Sequence, residues 1–339
     1  MTETVQTEIR PVEKKKGSKL WLISLLLLVV LNFVVVKFYK PVEPEINIAT
    51  DSLLFHMEDG VAVRDPWFTI PFIGDVYLTN TMPAIALILV ILLSLSAAVH
   101  QQTKDGQLKS HGVVLLLEII FSALTGMTDS AVEEKWRDRI YPFFLTVFMY
   151  VLIANLTKLL PFFETFGLVY PTNENGFIAQ KWGSWFYAIQ STAAEAGQQG
   201  YRLVSLFRGA STDLNFTVAI AIVTVILIQV IGVKAHGFSY FHKFIDIKGM
   251  ITNPKKGLIN GFVGILELIS EIAKIASFGF RLFGNMFAGM VLLLFLGYMV
   301  PWLVNTVILL YEAFVGILQA FIFGMLATVF MSMAVRSES

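Results

Sequence analysis

Residues 258 to 297 form a mainly apolar stretch that contains no proline and a single arginine, Arg281. At 1.5 Å per residue, a helix of about 40 residues would be about 60 Å long, roughly twice the hydrocarbon thickness of a bilayer. An arginine at the centre of a membrane helix costs roughly 2.5 to 3.5 kcal/mol to insert. The stretch therefore predicts one long helix, or two abutting ones, that tilts or bends in a bilayer and needs its arginine for a purpose.

Arg281 shares one side of this predicted helix with small and weakly polar residues, and Glu267 lies on roughly the same side. Counting about 100° per residue from the arginine, this side collects Ser270, Ser277, Gly284, Asn285 and Ala288. Small residues let another backbone approach closely, as in packed membrane helices. The side is therefore better suited to a protein partner than to a solute.

The composition agrees with a membrane protein, because 56% of the 339 residues are hydrophobic and only 15% are charged. These values predict a polytopic membrane protein. The apolar runs along the chain predict an all-α fold with about six membrane helices and one interfacial helix. The net charge of zero implies no basic surface for nucleic acid. The absence of cysteine excludes disulfides and thiolate metal sites, and the five histidines are too scattered to indicate a metal cluster.

Basic residues predict the orientation of the chain. Four lysines between positions 14 and 19 precede an apolar run that we interpret as an uncleaved anchor helix at about 20–39. The acidic segment up to residue 81 is expected outside, and the membrane domain proper is expected at 82–339. All basic clusters then fall on one side, so both termini are predicted cytoplasmic. The other expected parts are spans at about 82–99, 141–160 and 213–233, an interfacial helix at 112–134, an enlarged external loop at about 161–213 and a tilted hairpin at about 258–334.

Three motifs together resemble subunit a of F-type ATP synthases, the membrane stator beside a rotating ring of c subunits. They are NLTKLLP at 155–161, RLFGNMFAG at 281–289 and LQAFIF at 318–323. The resemblance covers the chain from about Met82 to the end. It implies a subunit without a cofactor or catalytic residues, and no phosphate-binding G-x-x-x-x-G-K-[ST] loop is found. The implied partners are the c-subunit ring, peripheral-stalk b-type subunits and the lipid bilayer, most simply in a bacterial plasma membrane.

The resemblance also implies how a proton, or sodium, would be carried. Arg281 would face the ion-carrying carboxylate of the c ring, lowering its pKa, whereas burial in lipid raises it. Two offset half-channels would each reach one side of the membrane. The cytoplasmic half-channel is expected at Glu267, Ser270, Glu271 and Ser277, and the outer one at Asn285, Glu312 and Gln319, with Asn155 and Asp213 as weaker candidates more typical of loop or cap residues.

Several alternatives stay open. Glu267 could instead be an interface residue paired with Lys274 or a loop lysine, and Glu312 could form a hydrogen bond within the bundle. Met290 stands where many family members carry a polar or ionisable residue, so the outer path would rely on Glu312 with water or borrow a side chain from Asn155 or the loop. A second small-residue stripe on the last helix is typical of bundle packing. It comprises Ala313, Gly316, Ala320, Gly324 and Ala327.

A rival interpretation is a secondary transporter that binds an anionic substrate at Arg281. Transporters often contain internal repeats and broken helices around a central site. No internal repeat is evident in this sequence, which favours the ATP synthase interpretation.

Overall fold

The structure is a computed structural model. It describes residues 48–58, 61–72, 74–104, 111–160, 162–164, 166–172, 176–182, 186–194, 198–244, 254–300 and 304–336, together with Val30 and Val34. The expected anchor helix at about 20–39 lies outside the described residues apart from those two valines, which are helical. The turn expected near Pro301 and Trp302 also lies outside them.

Helices dominate the described part of the chain. Five are long and apolar enough to cross a membrane, whereas the 16-residue helix α2 is apolar but shorter. The chain is therefore a mainly helical polytopic membrane protein, as predicted. In chain order the helices are α1 (Met82–Thr103), α2 (Val113–Thr128), α3 (Glu134–Thr157), α4 (Leu214–His236), α5 (Pro254–Met299) and α6 (Val304–Val335).

Asp213 caps the start of α4, as its position before an apolar run predicted. One carboxylate oxygen accepts a hydrogen bond from the backbone N–H of Asn215 at 2.9 Å. The other accepts from the hydroxyl of Thr81 at 3.0 Å, at the start of α1. A capping side chain satisfies a helix N–H that has no partner within the helix. Here the same carboxylate also joins the first turns of two membrane helices.

Helix α3 starts earlier and ends earlier than the span expected at 141–160. It begins at Glu134, and Pro142 lies inside it. Pro142 lies in the third turn and has no N–H to donate to the carbonyl of residue 138, so the helix lacks one backbone hydrogen bond there. The helix ends at Thr157, three residues before the expected end of the span at 160.

The small-residue stripe of α6 faces the bundle and packs against α3. Gly316, Ala320, Gly324 and Ala327 are all buried, and Ala313 at the end of the stripe is half-buried. A Cβ atom on Gly324 would lie 2.7 Å from the ring of Phe144 in α3. The stripe therefore allows close packing between two helices of the same chain, as membrane helices commonly do.

The 46-residue helix α5 differs from α6, because the small residues on its arginine side are exposed rather than buried in the bundle. Its length, about 69 Å at 1.5 Å per residue, exceeds the roughly 30 Å hydrocarbon layer, so a membrane-embedded α5 must tilt or bend. The small residues that share a side with Arg281 are exposed among the residues that the structure describes. Those exposed residues are Ser270, Ser277, Gly284, Asn285 and Ala288.

Antiparallel strands occupy both stretches that were expected outside the membrane. The first stretch holds two hairpins, pairing β1 (Phe55–Glu58) with β2 (Val61–Arg64) and β3 (Phe68–Ile70) with β4 (Gly74–Val76). The second holds a four-stranded sheet in the order β5-β8-β6-β7. Its strands are β5 (Gly167–Thr172), β6 (Phe177–Trp182), β7 (Phe186–Ala193) and β8 (Gly200–Ser205).

Polar contacts join these two stretches. Arg202 in β8 pairs with Asp51 at 3.0 Å. The guanidinium of Arg208, which is buried, donates to the backbone carbonyls of Ala49 at 2.8 Å and Ile48 at 3.3 Å. The segment before α1 is therefore fastened to the segment before α4.

Candidate functional site

Arg281 lies inside α5 with a partly exposed guanidinium. Its Nη2 donates to the hydroxyl of Ser277 at 3.1 Å, one turn earlier. In the part of the chain that the structure describes, no carboxylate lies within ion-pair distance of it. The arginine thus presents an unneutralised positive charge on the uncovered small-residue side of the helix.

Asn285 and Gln319 join the two long helices one turn beyond the arginine. Nδ2 of Asn285 donates to Oε1 of Gln319 at 2.8 Å. Gln319 is buried, whereas Asn285 is exposed on the arginine side. The amide pair therefore reaches from the interior of the bundle to the uncovered surface.

A buried ion pair lies further along the same hairpin. Nζ of Lys158, just after α3, lies 2.7 Å from Oε2 of Glu312 in α6, and the two side chains are 6% and 3% exposed. The ammonium also donates to the backbone carbonyl of Met286 at 3.1 Å. The second carboxylate oxygen, Oε1, is buried without a hydrogen-bond partner among the described residues. Burial of two charges is costly unless they are paired, and the lysine supplies that partner.

The ion pair and Asn285 of the amide pair border one cavity of about 290 Å³. Gly289 makes room for the carboxylate, since a Cβ atom there would overlap the oxygen atoms of Glu312. Met290 is buried and is not part of the cavity wall. The lining residues are Lys158, Asn285, Met286, Ala288, Gly289, Leu292, Tyr311, Glu312 and Val315.

Comparison with known proteins decides the family. A family model described as ATP synthase A chain matches residues 81–332, most of the chain. The chain belongs to this family. The relative from Mycobacterium marinum named ATP synthase subunit a is 27% identical over 276 residues, covering 80% of this chain and 92% of that protein. A relative of the same name from Helicobacter acinonychis is 25% identical over 263 residues, covering 77% and 91%.

Membership of the ATP synthase A chain family places this chain in the membrane sector of ATP synthase. Its general role there is proton translocation, in association with other subunits of that sector.

The two weaker outer candidates, Asn155 and Asp213, both make contacts between helices. Asn155 was grouped with loop and cap residues, but it lies inside α3, fully buried. Its Nδ2 donates to the backbone carbonyl of Gly316 at 3.0 Å, where the two helices approach closely. Asp213 is the N-cap of α4 described above. Neither residue lines the cavity.

Sequence reasoning missed three charged residues that interact with one another near Glu312, namely Lys158, Glu164 and Arg208. The lysine belongs to the NLTKLLP motif, and a lysine at the end of an apolar helix was the available signal. Burial raises the pKa of the Glu164 carboxyl, while the charges of Arg208 and Lys158 act in the opposite direction. The Glu164 backbone adopts a left-handed conformation with φ of 60°, which is uncommon for a residue other than glycine.

The expected cytoplasmic residues fall into two groups. Glu271 is buried and pairs with Lys274 at 2.9 Å. The same ammonium lies 4.9 Å from the centre of the Phe330 ring, so it is held between α5 and α6. Lys274, one alternative partner for Glu267, therefore pairs with its neighbour Glu271. Ser270 and Ser277 are exposed on the arginine side, and Glu267 is partly exposed.

Proposed function

We propose that this chain moves protons through two offset half-channels at its contact with a rotating c-subunit ring. The observation that carries this proposal is the unneutralised charge of Arg281 on an uncovered side of α5 lined with small residues. A ring carboxylate is neutral while it faces lipid and ionises when it faces a fixed positive charge within about 4 to 6 Å. Each passing carboxylate would therefore release its proton near Arg281.

The outer half-channel is the cavity between α5 and α6. Glu312 lies in its wall, and Asn285 and Gln319 lie between it and the arginine side of α5. Asn285 is four residues, or about 6 Å along the axis, from Arg281. The buried Oε1 of Glu312 lacks a protein partner among the described residues, which favours water or a proton as its partner during transport.

The cytoplasmic half-channel follows the first half of α5. Glu267, Ser270 and Ser277 lie on or near the arginine side, and Glu271 adds a buried carboxylate paired with Lys274. Because the outer cavity lies beyond Arg281 and these residues precede it, the two paths are offset along α5. The arginine between them would repel a proton that attempted to pass directly.

The implied assembly contains the c ring, peripheral-stalk b-type subunits and the bilayer, in a bacterial plasma membrane with both termini in the cytoplasm. The chain contributes ion transport, while nucleotide chemistry takes place in other subunits. A transmembrane field supplies about 2.3 kcal/mol per charge per 100 mV. Offset half-channels convert this energy into rotation in one direction.

The test is ATP-driven proton pumping in membrane vesicles that contain the whole complex with Arg281→Ala. We expect pumping to be lost while the complex still assembles, and passive proton leak to rise. Arg281→Lys should also pump poorly, because a buried lysine can lose its charge whereas arginine effectively cannot. The matched control is Arg336→Ala, since Arg336 is exposed at the end of α6. Normal pumping in assembled Arg281→Ala vesicles would contradict the proposal and favour the anion-transporter alternative.

A further inference from the structure

We propose that Lys158 is a positioning residue of the outer half-channel. Its ammonium holds Oε2 of Glu312 and leaves Oε1 as the acceptor for protons that arrive from outside. This inference rests on the proposed function, because it assigns a residue to the same half-channel.

The geometry of the carboxylate separates its two oxygens. Oε2 is occupied by the lysine at 2.7 Å. Oε1 lies beside Gly289, is buried, and has no hydrogen-bond partner among the described residues. An unpaired buried acceptor is costly, and a buried water molecule satisfies such an atom where it has polar partners. Glu312 lines the cavity together with Lys158 and Gly289, so the residue that carries the free oxygen borders this space.

The lysine is itself fixed from two directions. Nζ binds Glu312 in α6 and also donates to the carbonyl of Met286 in α5. Its backbone lies at the C-terminal end of α3. Three helices therefore determine where the ammonium sits, and the ammonium in turn determines which carboxylate oxygen stays free.

The proton balance is simple. A proton from the outer water adds to Oε1 and converts the carboxylate to the acid, while Lys158 keeps its positive charge. The proton then leaves through water in the cavity, past Asn285, to a carboxylate of the ring. Its departure restores the ion pair for the next proton.

Other charged groups near Glu312 lie at the outer end of the cavity. Glu164 interacts electrostatically with Glu312, Lys158 and Arg208. Helix α5 contributes only uncharged residues to the cavity wall, and Tyr311 is the remaining titratable one. The pH dependence of transport therefore reflects this whole group of charges, with Lys158 in contact with the proton-carrying residue.

The first variant is Lys158→Arg in the intact complex, which keeps the positive charge but changes the geometry of the donor. We expect it to assemble, to pump more slowly, and to show a shifted dependence of pumping on the pH of the outer side. A role in packing alone would leave that pH profile unchanged. A parental rate and a parental profile would overturn the proposal.

The second variant is Lys158→Met. General acid–base residues contribute about 10²- to 10⁴-fold to rates, so misplacing Glu312 should lower pumping by about tenfold or more. Parental pumping by the assembled variant would overturn the proposal. Since an unpaired buried carboxylate could prevent assembly, the charge-swapped pair Lys158→Glu with Glu312→Lys provides a third test. We expect it to assemble without pumping, because the carboxylate no longer extends from α6, and parental pumping would overturn the proposal.

Lys181→Met is the matched control. Lys181 is exposed in the external sheet, so a complex with this variant should pump normally. The Arg281→Ala variant distinguishes failure of the proposed role of Lys158 from failure of the proposed function. If that variant loses pumping while Lys158→Arg and Lys158→Met behave as the parent, only the role of the lysine fails. If Arg281→Ala pumps normally, the proposed function itself fails.

Discussion

The side-chain amides of Asn285 and Gln319 join α5 to α6 over 2.8 Å, one turn from Arg281. One partner is exposed beside the arginine and the other is buried in the bundle. The bond therefore fixes the register of the two long helices at the level where the proposed proton transfer takes place.

We predict that Gln319→Leu lowers proton pumping more than it lowers stability. A neutral hydrogen bond contributes about 1 kcal/mol, and the exposed Asn285 can find another partner. Without Gln319, the amide of Asn285 would no longer be held at the end of the cavity, so proton pumping should fall. The measurement is pumping per assembled complex. Gln229→Leu makes the same change at a hydrogen bond to Tyr240 outside the site and should pump normally. Equal effects of the two changes would count against the prediction.

We predict that Gly284→Leu abolishes pumping but leaves the isolated chain stable. A Cβ atom at position 284 meets no atom of the described residues within 4 Å, whereas a closely approaching ring helix would collide with a leucine there. Pumping and thermal stability should be measured on the same preparations. Ala276→Leu is the control, because Ala276 is also exposed but lies on the opposite side of α5 from Arg281. If Gly284→Leu pumps as Ala276→Leu does, this side of α5 is not the ring contact.

We predict that Gly289→Ala impairs pumping by displacing the Glu312 carboxylate. The added methyl group would overlap the carboxylate, and overpacking of this kind costs about 1 to 3 kcal/mol. The comparison is Gly126→Ala in α2, where the new methyl group meets open space and alanine favours the helix. Pumping assays of assembled complexes should show a loss only for position 289. An unimpaired Gly289→Ala variant would show that the carboxylate can shift without consequence.

We predict that Glu164→Gln removes part of the pH dependence of stability. Burial raises the pKa of Glu164 above its ordinary value of 4.5, so the folded state binds this proton more tightly than the unfolded state does. The raised pKa therefore favours folding at low pH, and stability falls as the pH rises from 4.5 through the folded pKa. The variant should be more heat-stable than the parent near neutral pH, with the advantage shrinking toward pH 4.5.

Thermal unfolding of the solubilised complex across that pH range measures the effect. Glu133→Gln, at an exposed residue before α3, should follow the parent curve. A Glu164→Gln curve that runs parallel to the parent curve would contradict the prediction.

The helices could be predicted because their signals are local. Apolar runs of sufficient length, the cap at Asp213 and the interruption after α5 all lie within a few residues of the boundaries that they determine. The small residues near Arg281 could also be assigned to one side, because helical spacing alone determines which residues share it.

The site could be predicted only in part. Lys158 and Glu312 lie on different helices and far apart in sequence, so nothing local indicated that they would form an ion pair. The strands in the two stretches expected outside the membrane were also missed, since short strands such as β3 and β4 carry little periodicity and depend on their pairing. The expected division of the chain into a segment up to residue 81 and a membrane domain at 82–339 stays a prediction.

The uncovered side of α5 has a mechanical consequence. Interlocked side chains such as Phe144 against Gly324 resist displacement, which suits the contact between α3 and α6 because those helices must stay together. A surface of serine, glycine and alanine has few protruding side chains that would obstruct a neighbour moving past it. In the proposed assembly, friction against the ring would be low everywhere except at Arg281, where electrostatic attraction sets the stopping point of each step.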